Sequence, residues 1–458
     1  MDAGELLRRT AERAIEHLEG LDERPVHATA TLAELRGALA VPLPDGPVDA
    51  AEVLEALATA AEPGVVGTTS PRYFGFVIGG SHPAALAADW LVSTWDQNAG
   101  LYVGGPAVGV MEEVAARWLV DLLGLPGASS VGFVTGCQMA HFTALAAARH
   151  KVLADVGWNV EERGLIGAPP VRLVVGAARH VTVDRAFRYL GFGNGAIEVV
   201  PADDGARLDV PALERILADG PDSPTIVCAQ VGEINTGALD PVGAISEVAH
   251  RHGAWVHVDG AFGLWAAASP RLRRLVPGLD RADSWATDAH KWLNVPYDSG
   301  LAFCAHPDAH RAAMSTMAPY LERNEDYPRE QLDWNPEFSR RARGVPVYAA
   351  LRSLGREGVA DLIERCCARA QRFAAGLRDA PGVTVQNDVV LNQVLVTFDG
   401  SVPTDEVVRR VQADGTCWLS GTTWRGGPAL RISVCNWQTS DNDVDRSVAA
   451  ILRVAGAA

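Results

Sequence analysis

The chain has 458 residues, 48% hydrophobic and 21% charged, the composition of a globular protein of two or three domains; a disulfide miniprotein and a disordered chain are excluded. Forty Lys+Arg against 56 Asp+Glu give a net charge of −16, a sign that repels nucleic acid and anionic lipid, and no basic stretch overrides it. Without a basic-then-apolar leader or an apolar run of about 18 residues, the chain is expected to be cytoplasmic, with no nucleic-acid or membrane partner. Seven cysteines, odd in number and without C-x-x-C spacing, argue against disulfides and a zinc site, so no metal is expected.

Residues 1–64 carry helical periodicity in Leu6, Leu7, Ile15 and Leu18, then Leu32, Leu35 and Leu39, then Val53, Leu54 and Leu57. Such a helical arm makes a poor core alone and is expected to pack on something larger, a second subunit being the natural candidate. From 65 to 310, apolar runs at 131–134, 173–175, 197–200, 225–229, 255–258 and 301–303 alternate with helical stretches at 140–156, 183–190, 210–218 and 242–251. This alternation predicts an α/β fold, a mostly parallel central sheet covered on both faces, with its ligand outside the strand C-termini. Residues 311–345 have no clear period and read as a mobile connection of the kind that forms a lid. Within them Arg340, Arg341 and Arg343, beside Glu337, read as a helix start, a salt-bridge site or a subunit contact. Residues 346–458 predict a smaller C-terminal α+β domain.

Four strings at predicted strand ends carry the chemistry. In HVDGAFG, 257–263, Asp259 ends a buried strand and the small residues after it let a flat ligand approach. In DAHKW, 288–292, Lys291 lies in an apolar segment where desolvation favours the neutral, nucleophilic amine. In GFVTGCQMA, 132–140, a strand, a small-residue turn and a helix start present N–H groups and the positive end of a dipole to an anion. HVTVDRA, 180–186, sets His180 before another helix. An anion cup, an imine-forming amine, an acid that keeps a pyridine nitrogen protonated and a ring to lie over the cofactor are together what pyridoxal 5′-phosphate requires.

The strings at 132–149, 180–191, 257–263, 288–300 and 430–437 resemble the group II pyridoxal-phosphate-dependent amino acid decarboxylases, which include aromatic amino acid, tyrosine, tryptophan and glutamate decarboxylases. The resemblance implies the aspartate aminotransferase-like fold type I and a homodimer with shared active sites. It also implies decarboxylation of an L-amino acid to an amine and carbon dioxide. Carried over by position, it makes Lys291 the internal aldimine, Asp259 the partner of the pyridine nitrogen and His180 the stacked ring, with Ala261 on the opposite ring face. Thr135, Gly136, Cys137, Gln138 and His290 fall at phosphate contacts, Thr236 on a loop beside the cofactor, and Ser339 where the neighbouring subunit reaches the phosphate.

Tyr320 resembles the loop tyrosine that protonates the carbanion after carbon dioxide leaves; relatives that make aldehydes tend to have Phe there. Tyr73, Phe74, Trp95, Leu101 and Tyr102 fall in the segment that resembles the substrate-side wall and favour an aromatic or hydrophobic amino acid. The chain departs from the family in Cys137-Gln138, where small or hydroxylic residues are usual, and in His141, where Asn is frequent. The alternatives are an aldehyde synthase, aldolase or aminotransferase of the same fold, and an inactive cofactor-binding dimeric protein.

Overall fold

The computed structural model describes residues 2–319, 321–324, 326–327 and 329–456. Its larger sheet is built from β1 (Ser130–Val134), β2 (Arg172–Gly176), β3 (Ile197–Val200), β4 (Thr225–Gln230), β5 (Trp255–Asp259), β6 (Ser284–Asp288) and β7 (Gly300–Cys304). The strand order is β1-β7-β6-β5-β4-β2-β3. Neighbours from β3 to β6 are parallel, and only β7 runs against its partners β6 and β1. β5, β6 and β7 are buried along their whole length, which is why their sequences read as unbroken runs rather than alternating ones. The helix expected at 140–156 begins earlier, as Cys137–Ala154, because Gly136 turns the chain directly from β1 into the first helical turn.

The C-terminal part carries an antiparallel sheet of β8 (Val383–Val385), β9 (Gln393–Phe398), β10 (Ser420–Trp424) and β11 (Gly427–Ser433), ordered β10-β11-β9-β8. Its long helix Gly344–Arg378 is broken at Gly355, whose φ of 62° suits glycine. All seven cysteines are free and buried.

The two parts are knotted together at Asn294. Its Oδ1 accepts from the N–H of Gly80 (2.7 Å) and Trp437 (3.0 Å), while its Nδ2 donates to the carbonyls of Trp292 (2.9 Å) and Cys435 (3.0 Å). Asn294→Ala strands these buried groups, each at a cost of about 1–3 kcal/mol, so a loss of roughly 3 kcal/mol is expected. A denaturant midpoint unchanged from the wild type would contradict it.

The segment 311–345 is more structured than its sequence suggests. The helix Pro307–Met314 runs into it, and a 3-10 turn forms at Gln331–Trp334. Arg323 pairs with Asp333 (2.8 Å), the Tyr327 hydroxyl donates to the Gly109 carbonyl (2.8 Å), and Arg340 is buried against Glu112 (2.8 Å). Arg341 and Arg343 pair with Asp89 and Asp298. The arginine cluster is thus a set of salt bridges. Tyr320 lies outside the described residues.

The arm forms helices Ala3–Glu19, Leu32–Leu39 and Ala50–Ala61, none with a buried residue. Leu7, Ile15 and Leu57 are 62%, 50% and 53% exposed, an apolar stripe left uncovered within one chain. Among the described residues no helix is long and apolar enough to cross a membrane.

Candidate active site

Parallel strands deliver their last residues to one edge, and the chemistry-bearing strings gather there. Asp259 is the last residue of β5 and Asp288 the last of β6; Gly136 follows β1 and His180 follows β2. This is the carboxyl end of the sheet, where such folds bind ligands.

Lys291 Nζ lies 3.0 Å from Asp288 Oδ2. The expectation of a neutral amine is corrected here: burial does push the Lys291 pKa down, but the Asp288 carboxylate outweighs it and holds the lysine above its ordinary range, as an ammonium. Asp288 Oδ1 also accepts the Cys137 N–H (2.5 Å) and lies 3.3 Å from His290 Nε2. Gly136 has no side chain to cap the helix Cys137–Ala154, and the Asp288 carboxylate takes its first N–H instead, so the positive end of the dipole faces this group. The backbone is packed to the limit: a Cβ on Gly79 would collide with the Lys291 carbonyl, and one on Gly300 with the backbone of Gly136.

Asp259 is buried, and its Oδ1 accepts the Ala261 N–H at 3.1 Å. Burial opposes its ionisation, yet His141, His180 and Lys291 together hold the carboxyl well below the usual carboxylate range. His180 caps the helix Val181–Tyr189: its Nδ1 accepts from the Thr182 hydroxyl (2.8 Å) and backbone N–H (3.4 Å), which leaves Nε2 as the protonated nitrogen of the neutral ring. Burial lowers the His180 pKa.

Gln138 Nε2 donates to the Thr182 carbonyl at 3.3 Å, while Gln138 Oε1 and Ser299 Oγ are buried without a partner. Ser299 donates its N–H to His290 Nδ1 (3.1 Å), and His290 stacks on Tyr297 with centroids 4.1 Å apart. The helix N-terminus, the half-buried Thr135 and Gly136, and the unused Ser299 hydroxyl form a cradle that suits a phosphate.

Other expected residues lie differently. Thr236 spends its hydroxyl within its own turn, donating to Glu233 Oε2 (3.0 Å) and accepting the Ala238 N–H (3.1 Å). Phe74 packs edge-on against Phe373 in the core, whereas Tyr73 stacks on Trp418 with centroids 5.1 Å apart. Trp95 is exposed, Tyr102 stacks on Tyr327 and Leu101 is half-buried beside it. Ser339 is exposed and receives a 3.5 Å bond from Asn98. Within one chain Trp95, Leu101, Tyr102 and Ser339 have no recorded bond or ring contact to Asp259, His180 or Lys291.

Asp288 and His257 stand inside the quoted strings, and His141 was marked only as a departure; neither spacing nor composition assigns any of them a partner. The donor atoms of Cys137, His141 and Asp259 lie within 4.8 Å of one another, a spacing open to a metal. Burial, with Asp288 and Asp259 nearby, pushes the Cys137 thiol far up, away from the thiolate a metal needs, and His141 is engaged on its other nitrogen.

The profile of the family described as the pyridoxal-dependent decarboxylase conserved domain matches residues 33–399. An aromatic-L-amino-acid decarboxylase of Bacillus atrophaeus is 26% identical over 94% of this chain and 90% of its own length. A tyrosine decarboxylase of Oryza sativa subsp. japonica is 30% identical over 79% of this chain and 70% of its own. The crystal structure of Oryza sativa TDC with PLP and tryptamine superposes with a TM-score of 0.92 at 23% identity, covering 100% of this chain and 98% of that one, so the fold is shared.

Proposed function

Because the chain belongs to the pyridoxal-dependent decarboxylase family, a family of pyridoxal-phosphate-dependent carboxy-lyases with the fold type I architecture found here, we propose that it decarboxylates an aromatic or hydrophobic L-amino acid to the corresponding amine. The observation that carries the reading is the meeting of Asp259, Lys291 and His180 with the N-terminus of the helix Cys137–Ala154 at one sheet edge.

The residues present fit pyridoxal phosphate. Lys291 would hold it covalently; the turn Thr135–Gln138, His290 and the free Ser299 hydroxyl would hold its phosphate. Bound there, it supplies an electron sink for the pair released when the bond from Cα to the carboxylate breaks. Asp259, ionised in its buried site, would keep a proton on the ring nitrogen, and His180 and Ala261 would be the residues that hold the ring. Asp288 Oδ2, 3.0 Å from Nζ, would hold and orient the Lys291 side chain toward the cofactor. Tyr320 would be the acid that returns a proton to Cα.

The aromatic preference draws on the Tyr73–Trp418 stack, on Tyr297 beside His290, and on the named activities of the relatives. We assign Trp95, Leu101, Tyr102 and Ser339 to a site completed across a homodimer, since the arm's apolar stripe lacks a cover within one chain. Mass-spectrometric amine detection across an amino acid panel is expected to find amines from aromatic substrates. Turnover of acidic substrates alone would overturn the specificity, and no amine from any substrate would overturn the function.

Tyr320→Phe tests the proton donor. Loss of a positioned acid costs roughly 10²- to 10⁴-fold, so amine formation is expected to fall by that range and product to shift toward aldehyde. Clean amine formation at the wild-type rate would assign the proton to another group.

A further inference from the structure

Behind Asp259 runs a line of buried polar side chains that the reaction above does not use. Trp255 Nε1 lies 2.9 Å from Ser284 Oγ, Ser284 Oγ 2.9 Å from His257 Nδ1, and His257 Nε2 2.9 Å from His141 Nδ1. His141 Nε2 then faces both Cys137 Sγ at 3.4 Å and Asp259 Oδ2 at 3.6 Å. Ser284, His257 and His141 are fully buried, so each ring nitrogen and hydroxyl needs its neighbour.

One assignment of hydrogens gives every group in the line a partner. Indole nitrogen only donates, so Ser284 Oγ accepts from Trp255 and has its own proton free for His257 Nδ1. A neutral His257 with Nδ1 accepting carries its proton on Nε2 and donates it to His141 Nδ1. His141 then carries its proton on Nε2, aimed at the Asp259 carboxylate. A proton on Nε2 also suits the carboxylate that this nitrogen faces, where a bare lone pair would be repulsive. Burial holds His257 far below its ordinary pKa, in keeping with a neutral ring.

We propose that Trp255, Ser284, His257 and His141 form a one-directional hydrogen-bond relay that presents an N–H to Asp259 and fixes its charge and orientation, making His141 and His257 positioning residues for the acid behind the cofactor ring. The proposal rests on the functional reading for its purpose but not for its geometry. His141 reaches from the helix Cys137–Ala154 toward both His257 and Asp259, and so couples the line to the acid.

The tests use the full-length holoenzyme, labelled with ¹⁵N-histidine. The expected NMR result is that His141 and His257 are both neutral with the proton on Nε2. A proton on Nδ1 of either ring overturns the relay. His141→Leu is expected to lose about ten- to a hundredfold in cofactor retention on dialysis and in kcat, with KM for the amino acid nearly unchanged. His141→Gln, whose amide mimics the Nε2–H, is expected to recover most of both. Wild-type retention and kcat in His141→Leu, or no recovery in His141→Gln, overturns the role.

Should His141→Leu not fold, Ser284→Ala decides: losing one hydroxyl is expected to mix the His257 tautomers and shift both ring N–H signals. An unchanged spectrum counts against the relay. A wild-type protein that takes up no pyridoxal phosphate yet shows both Nε2–H tautomers would sink the functional reading and leave the relay standing.

Discussion

Lys291→Ala is expected to fold, to show none of the visible absorbance that the wild type has with pyridoxal phosphate, and to lose amine formation by on the order of 10³-fold or more, the scale of losing a nucleophile. The physical reason is local. Lys291 Nζ is held by Asp288 at 3.0 Å in a turn that Asn294 and the close approach of Gly79 fix in place. Truncation removes the only amine there among the described residues without disturbing the Asp288 bond to the Cys137 N–H. A visible spectrum and rate unchanged by the substitution would remove Lys291 from the mechanism. Intact melting with lost absorbance would separate chemistry from folding.

Asp259→Asn is expected to keep cofactor bound but to lower kcat by roughly 10²-fold or more, because an opposite charge at contact shifts a pKa by about one to three units and an amide does not. The sign of the pH dependence follows from the depressed pKa. Burial raises the Asp259 pKa, His141, His180 and Lys291 lower it further, and the folded value falls below the unfolded one. Its contribution to stability is therefore complete above the unfolded carboxylate pKa of about 3.9 and is lost as pH falls through the folded value. An acid limb of the rate profile near neutral pH is therefore expected to come from another group, and Asp259→Asn should leave any such limb where it is. A limb that vanishes with the substitution, or a kcat equal to the wild type's, would show that Asp259 does not act through its charge.

The two substitutions probe different levels of the protein. The alternation of apolar runs with helical stretches was enough to place the parallel sheet, because a strand buried on both faces has little choice but continuous hydrophobicity. The strings around Asp259, Lys291, Gly136 and His180 were legible for a related reason: each lies at or just past a strand end, so local order alone puts it on the ligand-binding edge. The irregular segment 311–345 was less legible, since its order comes from Arg323–Asp333 and Arg340–Glu112 pairs rather than from any period.

What a linear reading could establish was the fold class, the set of chemical groups and their place at one end of the sheet, all of which depend on short-range pattern. The charge state of Lys291, the use of the Thr236 hydroxyl and the burial of Phe74 depended on which neighbour came within bonding distance. His141 and His257 are 116 residues apart in the chain and 2.9 Å apart in the fold. Electrostatics and hydrogen bonding act over a few ångströms in space, so only the folded chain could decide them.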